Sequence, residues 1–116
     1  MSRAAEQTAR DLAEAAPVFA ALGDVTRLGV VARLCTEGPL SIARLSDGAG
    51  VTRQAITKHL RTLAEAGLVR GRHEGRQRIF ELEPHRLAIA RRELDRISRQ
   101  WDLALGRLRA FVEEDR

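Results

Sequence analysis

Two glycines with a single residue between them, in the run Asp47-Gly48-Ala49-Gly50, divide a pair of short segments that each begin on a hydroxyl side chain. Ser41 leads the first, with Ile42 and Leu45 behind it; Thr52 leads the second, with Ile56, Leu60 and Leu63 at helical spacing. A Ser or Thr in such a place accepts a hydrogen bond from a backbone N–H of the first turn and starts a helix. Val51 and Ile56 occupy the two positions of a hydrophobic staple across that start. Gly67 is placed to close the second helix in a left-handed conformation. Two amphipathic helices joined by so tight a turn make a helix-turn-helix unit over residues 41–67.

The flanking chain supplies the frame. Residues 3 to 15 read as a first helix, Pro17 as the opening of a second short one through Leu22, and Gly23 as its end. Asp24 then caps a helix to about Thr36, in which Val25, Leu28, Val31, Ala32 and Cys35 are expected to face inward. Leu68 to Arg72 and Gln77 to Leu82 read as two strands around the loop 73–76, a basic hairpin or wing spanning 68–82. From Pro84 onward Leu87, Ala90, Leu94, Ile97, Trp101, Ala104, Leu108 and Phe111 recur in steps of three and four, the seam of a long helix over 84–115 that seeks a second surface. The expected fold is therefore mostly α with a small β-hairpin. It is one winged helix-turn-helix domain over 1–116 with a long C-terminal dimerisation helix.

A chain of 116 residues with 44% apolar composition suits a single domain. No apolar run approaches the roughly 20 residues a membrane span needs, and no leader-like start is present, so a cytoplasmic protein without a membrane role is expected. The one cysteine, Cys35, excludes an intrachain disulfide and a multi-cysteine metal cage within a subunit. In an apolar helical register it reads as a small core residue. The three histidines have no nucleophile motif, Gly-rich phosphate loop or carboxylate pair placed to work with them, so neither an enzyme nor a cofactor is expected. The formal charge of +4 is unevenly spread. Residues 52 to 78 hold seven cations and two anions, against 13 cations and 14 anions elsewhere. A basic segment on an otherwise balanced chain is the footprint of a phosphate-binding surface.

Around the helix from Arg53 to Ala66, Ile56, Leu60 and Leu63 form the inner side, with Gln54, Lys58, Arg61 and Glu65 opposite and Thr57 nearby. Such a face can be merely solvated. Preceded by a tight turn and followed by an Arg-rich hairpin, it is read instead as a surface for a DNA major groove, where Gln pairs with adenine and Arg or Lys with guanine. Arg53 sits in the first turn, where it can reach past the helix end. His59 lies at the edge of the apolar arc and is open to a phosphate contact or to packing. On the hairpin, Arg72 and Arg76 are nearest the loop and best placed for backbone phosphates, whereas Arg70 and Arg78 are expected to solvate the strands.

The stretch from Asp24 to Leu82, with DVTRLGVVARL, GPLSIARLSDGAGVTRQAITKHLRTLAEAGLV and GRHEGRQRIFEL, resembles the ArsR-type winged-helix bacterial repressors. The resemblance implies a recognition-helix role for Thr52, Arg53, Gln54, Thr57, Lys58, His59 and Arg61. It also implies repression by a homodimer on double-stranded DNA. The C-terminal EPHRLAIARRELDRISRQWDLALGRL is similar to a subgroup whose long last helix carries a tryptophan and pairs subunits, which puts Leu94, Ile97, Trp101 and Leu108 in the interface. Many members sense metals through cysteines on the first helix of the helix-turn-helix, or through His and carboxylate ligands on the last helix. Here PLSIARLS has Ser41 and Ala43 where thiolates would stand, and no histidine follows His85, so no metal site is expected. A small-molecule effector of unspecified chemistry is compatible with this reading.

Overall fold

The computed structural model describes residues 2–115. Its elements run α1 (Arg3–Leu22), α2 (Val25–Glu37), β1 (Leu40–Ser41), α3 (Ile42–Ser46), α4 (Arg53–Glu65), β2 (Val69–Glu74), β3 (Gln77–Leu82) and α5 (Pro84–Glu114). Four helices start on a side-chain cap of one kind. Ser2, Asp24, Ser41 and Thr52 accept from the backbone N–H of Ala5, Arg27, Arg44 and Ala55 at 3.0–3.1 Å. α5 starts instead on Pro84, whose missing N–H would have lacked a partner anyway.

One core joins these elements. Leu45, Ile56, Leu60, Leu63 and Leu68 are wholly excluded from solvent, and Val18, Val30, Leu34, Leu40, Val69, Phe80 and Ala90 close around them. The strands form an antiparallel sheet in the order β1-β3-β2, with Leu40 opposite Phe80 and Gly71 opposite Phe80 on the other side. A Cβ at Gly71 would meet the Phe80 ring at 3.0 Å, so the ring lies where only glycine leaves room. The hairpin turns on Gly75 and Arg76, with φ +62° at Gly75, the conformation a two-residue turn asks of glycine at its first central position.

Three expectations from the sequence are corrected. Pro17 does not open a second helix: α1 runs unbroken through it, because Ala15, Val18 and Ala21 are buried on one side while the ring stays exposed. That packing outweighs the lost backbone bond. The inward face of α2 is Val30, Val31 and Leu34, leaving Val25 86% and Leu28 51% exposed and Ala32 and Cys35 on the surface. α2 is apolar around most of its circumference, so periodicity does not select a face. The observed rotation lets Arg27 donate to the Ala21 carbonyl at 2.6 Å and Arg33 reach the end of α3. Finally, Leu40–Ser41 forms a short edge strand where no strand was expected. β2 is also shifted slightly, beginning at Val69 and reaching Glu74, while β3 spans Gln77–Leu82 as expected.

α5 is about 46 Å long at 1.5 Å per residue. Its first half packs on α1 through Ile89, Ala90 and Glu93, the last paired with Arg96. From Ser98 to Asp115 every residue is exposed, so the second half projects from the domain.

α4 ends in a Schellman arrangement, with Gly67 N–H on the Ala64 carbonyl and Leu68 N–H on the Leu63 carbonyl, at φ +77° for Gly67. A Cβ there would also lie 2.7 Å from Arg86 Cγ. Gly67→Ala is expected to destabilise the protein by about 1–2 kcal/mol. In urea titrations the midpoint should fall with the slope unchanged.

Candidate nucleic-acid interface

The outward face of α4 is set by its inner one. With Ile56, Leu60 and Leu63 fully buried, Arg53, Gln54, Lys58 and Arg61 are exposed and Thr57 is half-buried. Together with Thr52 and Ala55 these side chains line an open depression on the surface, which gathers six of the seven residues assigned to the recognition helix. The Thr57 hydroxyl donates to the Arg53 carbonyl at 2.8 Å and is held against the helix.

His59 lies apart from this group. Its Nδ1 is 3.3 Å from Arg27 Nη1 and 3.9 Å from Asp24 Oδ2, so the ring is tied to the start of α2. Of the two roles open to it, packing at the edge of the core matches this position. Asp24 is held below the ordinary carboxylate range chiefly by the Arg27 backbone N–H, with the Arg27 and His59 side chains adding to it. The capping charge therefore persists to lower pH than a free aspartate's would.

Arg33 is a positioning residue that periodicity does not reveal. Its Nε donates to Glu37 at 2.9 Å, and its Nη1 lies 3.0–3.3 Å from the carbonyls of Arg44, Leu45 and Asp47. These are carbonyls at the end of α3 and the start of the turn, where a cation is favourable. One guanidinium thus fastens the turn that aims α4. The only sequence signal was a cation on α2 spaced four residues before Glu37.

On the wing the arginines divide into two sets. Arg70 pairs with Glu81 and Glu83, both at 3.0 Å; Arg72 pairs with Glu81 at 2.9 Å and Glu74 at 3.4 Å. Arg70, then Arg72, hold the Glu81 carboxyl below its ordinary value. Arg78 does not simply solvate its strand, since its guanidinium stacks 5.1 Å above the centre of the Phe80 ring. Arg76 stands at the turn. Among the described residues, Arg53, Lys58, Arg61, Arg76 and Arg78 have no carboxylate within ion-pair distance. Within residues 52–82, the uncompensated positive charge is therefore on the outer face of α4 and at the hairpin tip. Also among the described residues, no three His, Cys, Asp or Glu come together as a group that could hold a metal ion.

A helix-turn-helix domain family matches residues 22–72. An HTH-type transcriptional regulator of Mycobacterium tuberculosis is 41% identical over 95 residues, covering 82% of this chain and 85% of that protein. The chain belongs to the ArsR family of transcriptional regulators. The arsenical resistance operon repressor of Escherichia coli is 35% identical over 78 residues, or 67% of each chain. Among solved structures, an ArsR-like transcriptional regulator from a Rhodococcus species superposes with a TM-score of 0.69 at 36% identity, covering 85% of this chain and 92% of that one. The recognition-helix assignments thus fall within an ArsR-family fold. No single helix is long and apolar enough to cross a membrane among the described residues.

Arg33→Ala should cost about 1–2 kcal/mol, because the carbonyls it serves lose a charged donor at a helix end. The midpoint of urea denaturation checks this, and Arg33→Lys should recover only part of the loss because an ammonium does not reproduce the planar fork.

Proposed function

We propose that this ArsR-family protein represses transcription in the cytoplasm by binding an inverted-repeat operator as a homodimer, with α4 in the major groove. The carrying observation is the separation of free from compensated charge within residues 52–82. Arg53, Lys58 and Arg61 on α4 and Arg76 and Arg78 at the wing have no carboxylate partner among the described residues, while the arginines further up the hairpin do. Gln54 and Lys58 stand on the exposed side of the first two turns, where side chains meet base edges, and are the proposed readers. Thr52, Arg53, Thr57 and Arg61 flank them, and Arg76 and Arg78 are the proposed phosphate contacts of the wing. Metal ions and cofactors have no part in this reading.

Selection of bound fragments from random duplex DNA tests it directly, and recovery of an inverted repeat with half-sites about 34 Å apart is the expected result. On the recovered site Gln54→Ala should cost about 1–3 kcal/mol and relax selectivity at one position per half-site. Arg76→Ala should weaken all sequences alike and reduce the slope of log affinity against log salt by about one. Equal loss on cognate and random DNA for Gln54→Ala would remove it as a reader.

The dimer is assigned to α5. Leu94, Trp101, Leu105, Leu108 and Val112 are all about half or more exposed and fall within roughly 60° of one another at 100° per residue. Ile97 is half-buried at the edge of this stripe, which joins the helix's packing face to its free one. Leu105 and Val112 were not among the interface residues expected from the heptad, which drifts relative to a straight helix. An apolar stripe this long on a projecting helix is costly in water and calls for a second copy. Leu94→Glu or Trp101→Glu should yield monomers by sedimentation and lose the avidity of two linked half-sites. A variant that remains dimeric would place the interface elsewhere.

A further inference from the structure

We infer that Glu81 sets the DNA affinity of the wing by withholding Arg72 from the phosphate backbone. The inference rests on the DNA-binding reading above. Glu81 stands directly opposite Arg70 in the β2–β3 register and diagonally from Arg72, whose own partner across the ladder is Ile79. One carboxylate therefore bonds two arginines, Oε1 to Arg70 and Oε2 to Arg72. The two arginines are not equivalent. Arg70 has a second strong partner in Glu83 at 3.0 Å, whereas Arg72 has only Glu74 at 3.4 Å, on a side chain 67% exposed. Arg72 also lies closer to the tip, roughly 7–10 Å back from the Gly75–Arg76 turn at about 3.3 Å per residue. A wing laid along a DNA backbone by Arg76 would bring Arg72 over neighbouring phosphates. With Glu81 in place, that contact requires an existing ion pair to be given up and sets a carboxylate beside the phosphate.

Exposed ion pairs are individually weak, so Glu81 does not need to stabilise the hairpin to have this effect. Its consequence is electrostatic. Phosphate contacts carry no sequence information, so withholding one lowers affinity for operator and random DNA by the same factor. A regulator that must leave non-specific sites benefits from such a limit on its sequence-independent charge.

Affinities of the wild type, Glu81→Gln, Arg72→Ala and the double variant are measured for the selected operator and for random duplex from 0.05 to 1 M salt. Release of Arg72 should steepen the slope of log affinity against log salt by about 0.9. Glu81→Gln should then bind both DNAs on the order of tenfold more tightly at 0.1 M salt, with the gain vanishing near 1 M. Arg72→Ala alone should change little, and in the Glu81→Gln background it should abolish the gain. If Glu81→Gln gains the same affinity with Arg72 absent, the carboxylate acts only by its own repulsion and the inference fails. A loss of slope for Arg72→Ala in the wild type also overturns it, because Arg72 would already be on a phosphate. A Glu81→Gln slope equal to that of the wild type overturns it while leaving DNA binding intact. If the wild type binds no duplex at any salt, the DNA reading itself fails.

Discussion

The burial of Ile56, Leu60 and Leu63 among Leu45, Leu68 and the rest of the core fixes the rotation of α4 about its axis, and with it the choice of side chains that reach outward. Turning the helix by one residue, about 100°, would bring Thr57 and Arg61 toward that core and expose an aliphatic side chain worth about 1.5–3 kcal/mol of burial. Two fastenings then fix its translation and tilt. Thr52 caps the first turn, and the Arg33 guanidinium holds the carbonyls of the preceding turn. The recognition surface needs no bond of its own to be preorganised, because each constraint acts from the side facing away from it.

The second organising constraint is the placement of carboxylates. Seven cations lie between residues 52 and 78, yet they do not act as one basic patch. β3 brings Glu81 across the ladder from β2, and Glu83 follows the strand, so the upper hairpin is electrically compensated. The carboxylate that α4 carries on its outer face, Glu65, lies in the last turn and makes no ion pair with Arg53, Lys58 or Arg61. Coulomb attraction to a polyanion is long-ranged at low salt and non-selective, so placing the free charge of this segment beside Gln54 would keep the attractive surface and the proposed reading surface together.

Much of this was legible in the sequence, and the failures share a cause. The caps at Asp24, Ser41 and Thr52, the Gly67 terminus, the inner stripe of α4 and the extent of α5 all depend on neighbours within a few residues, and each was found where expected. What was missed depends on partners distant in the chain. The rotation of α2 follows the burial of Val30, Val31 and Leu34 in the shared core, the strand at Leu40 its pairing with Phe80, and the state of Arg72 a glutamate nine residues away on the opposite strand. Pro17 shows the same override from the other direction, since a local breaker was carried through by burial of Ala15, Val18 and Ala21. His59 sat at the boundary of the apolar arc, where periodicity alone does not decide, and its contacts with Arg27 and Asp24, 32 and 35 residues away, are not visible to it.

α5 links this local geometry to the proposed assembly. Its first half is anchored on α1 by Ile89 and Ala90 and by Glu93, whose buried charge is matched by Arg96 on the same helix. Leaving Glu93 without that partner would strand a charge in the α1–α5 contact. The projecting half continues the same helix without a proline or an internal cap, and a helix is stiff over this length. The direction of the apolar stripe is thereby fixed by the packing of the proximal turns. In a two-fold pairing along that stripe, the distance between the two α4 helices would be set by helix geometry and by where the stripe begins, near Leu94, rather than by a flexible linker. The orientation of one recognition helix and the spacing of two would then follow from the same contact of α1 with α5.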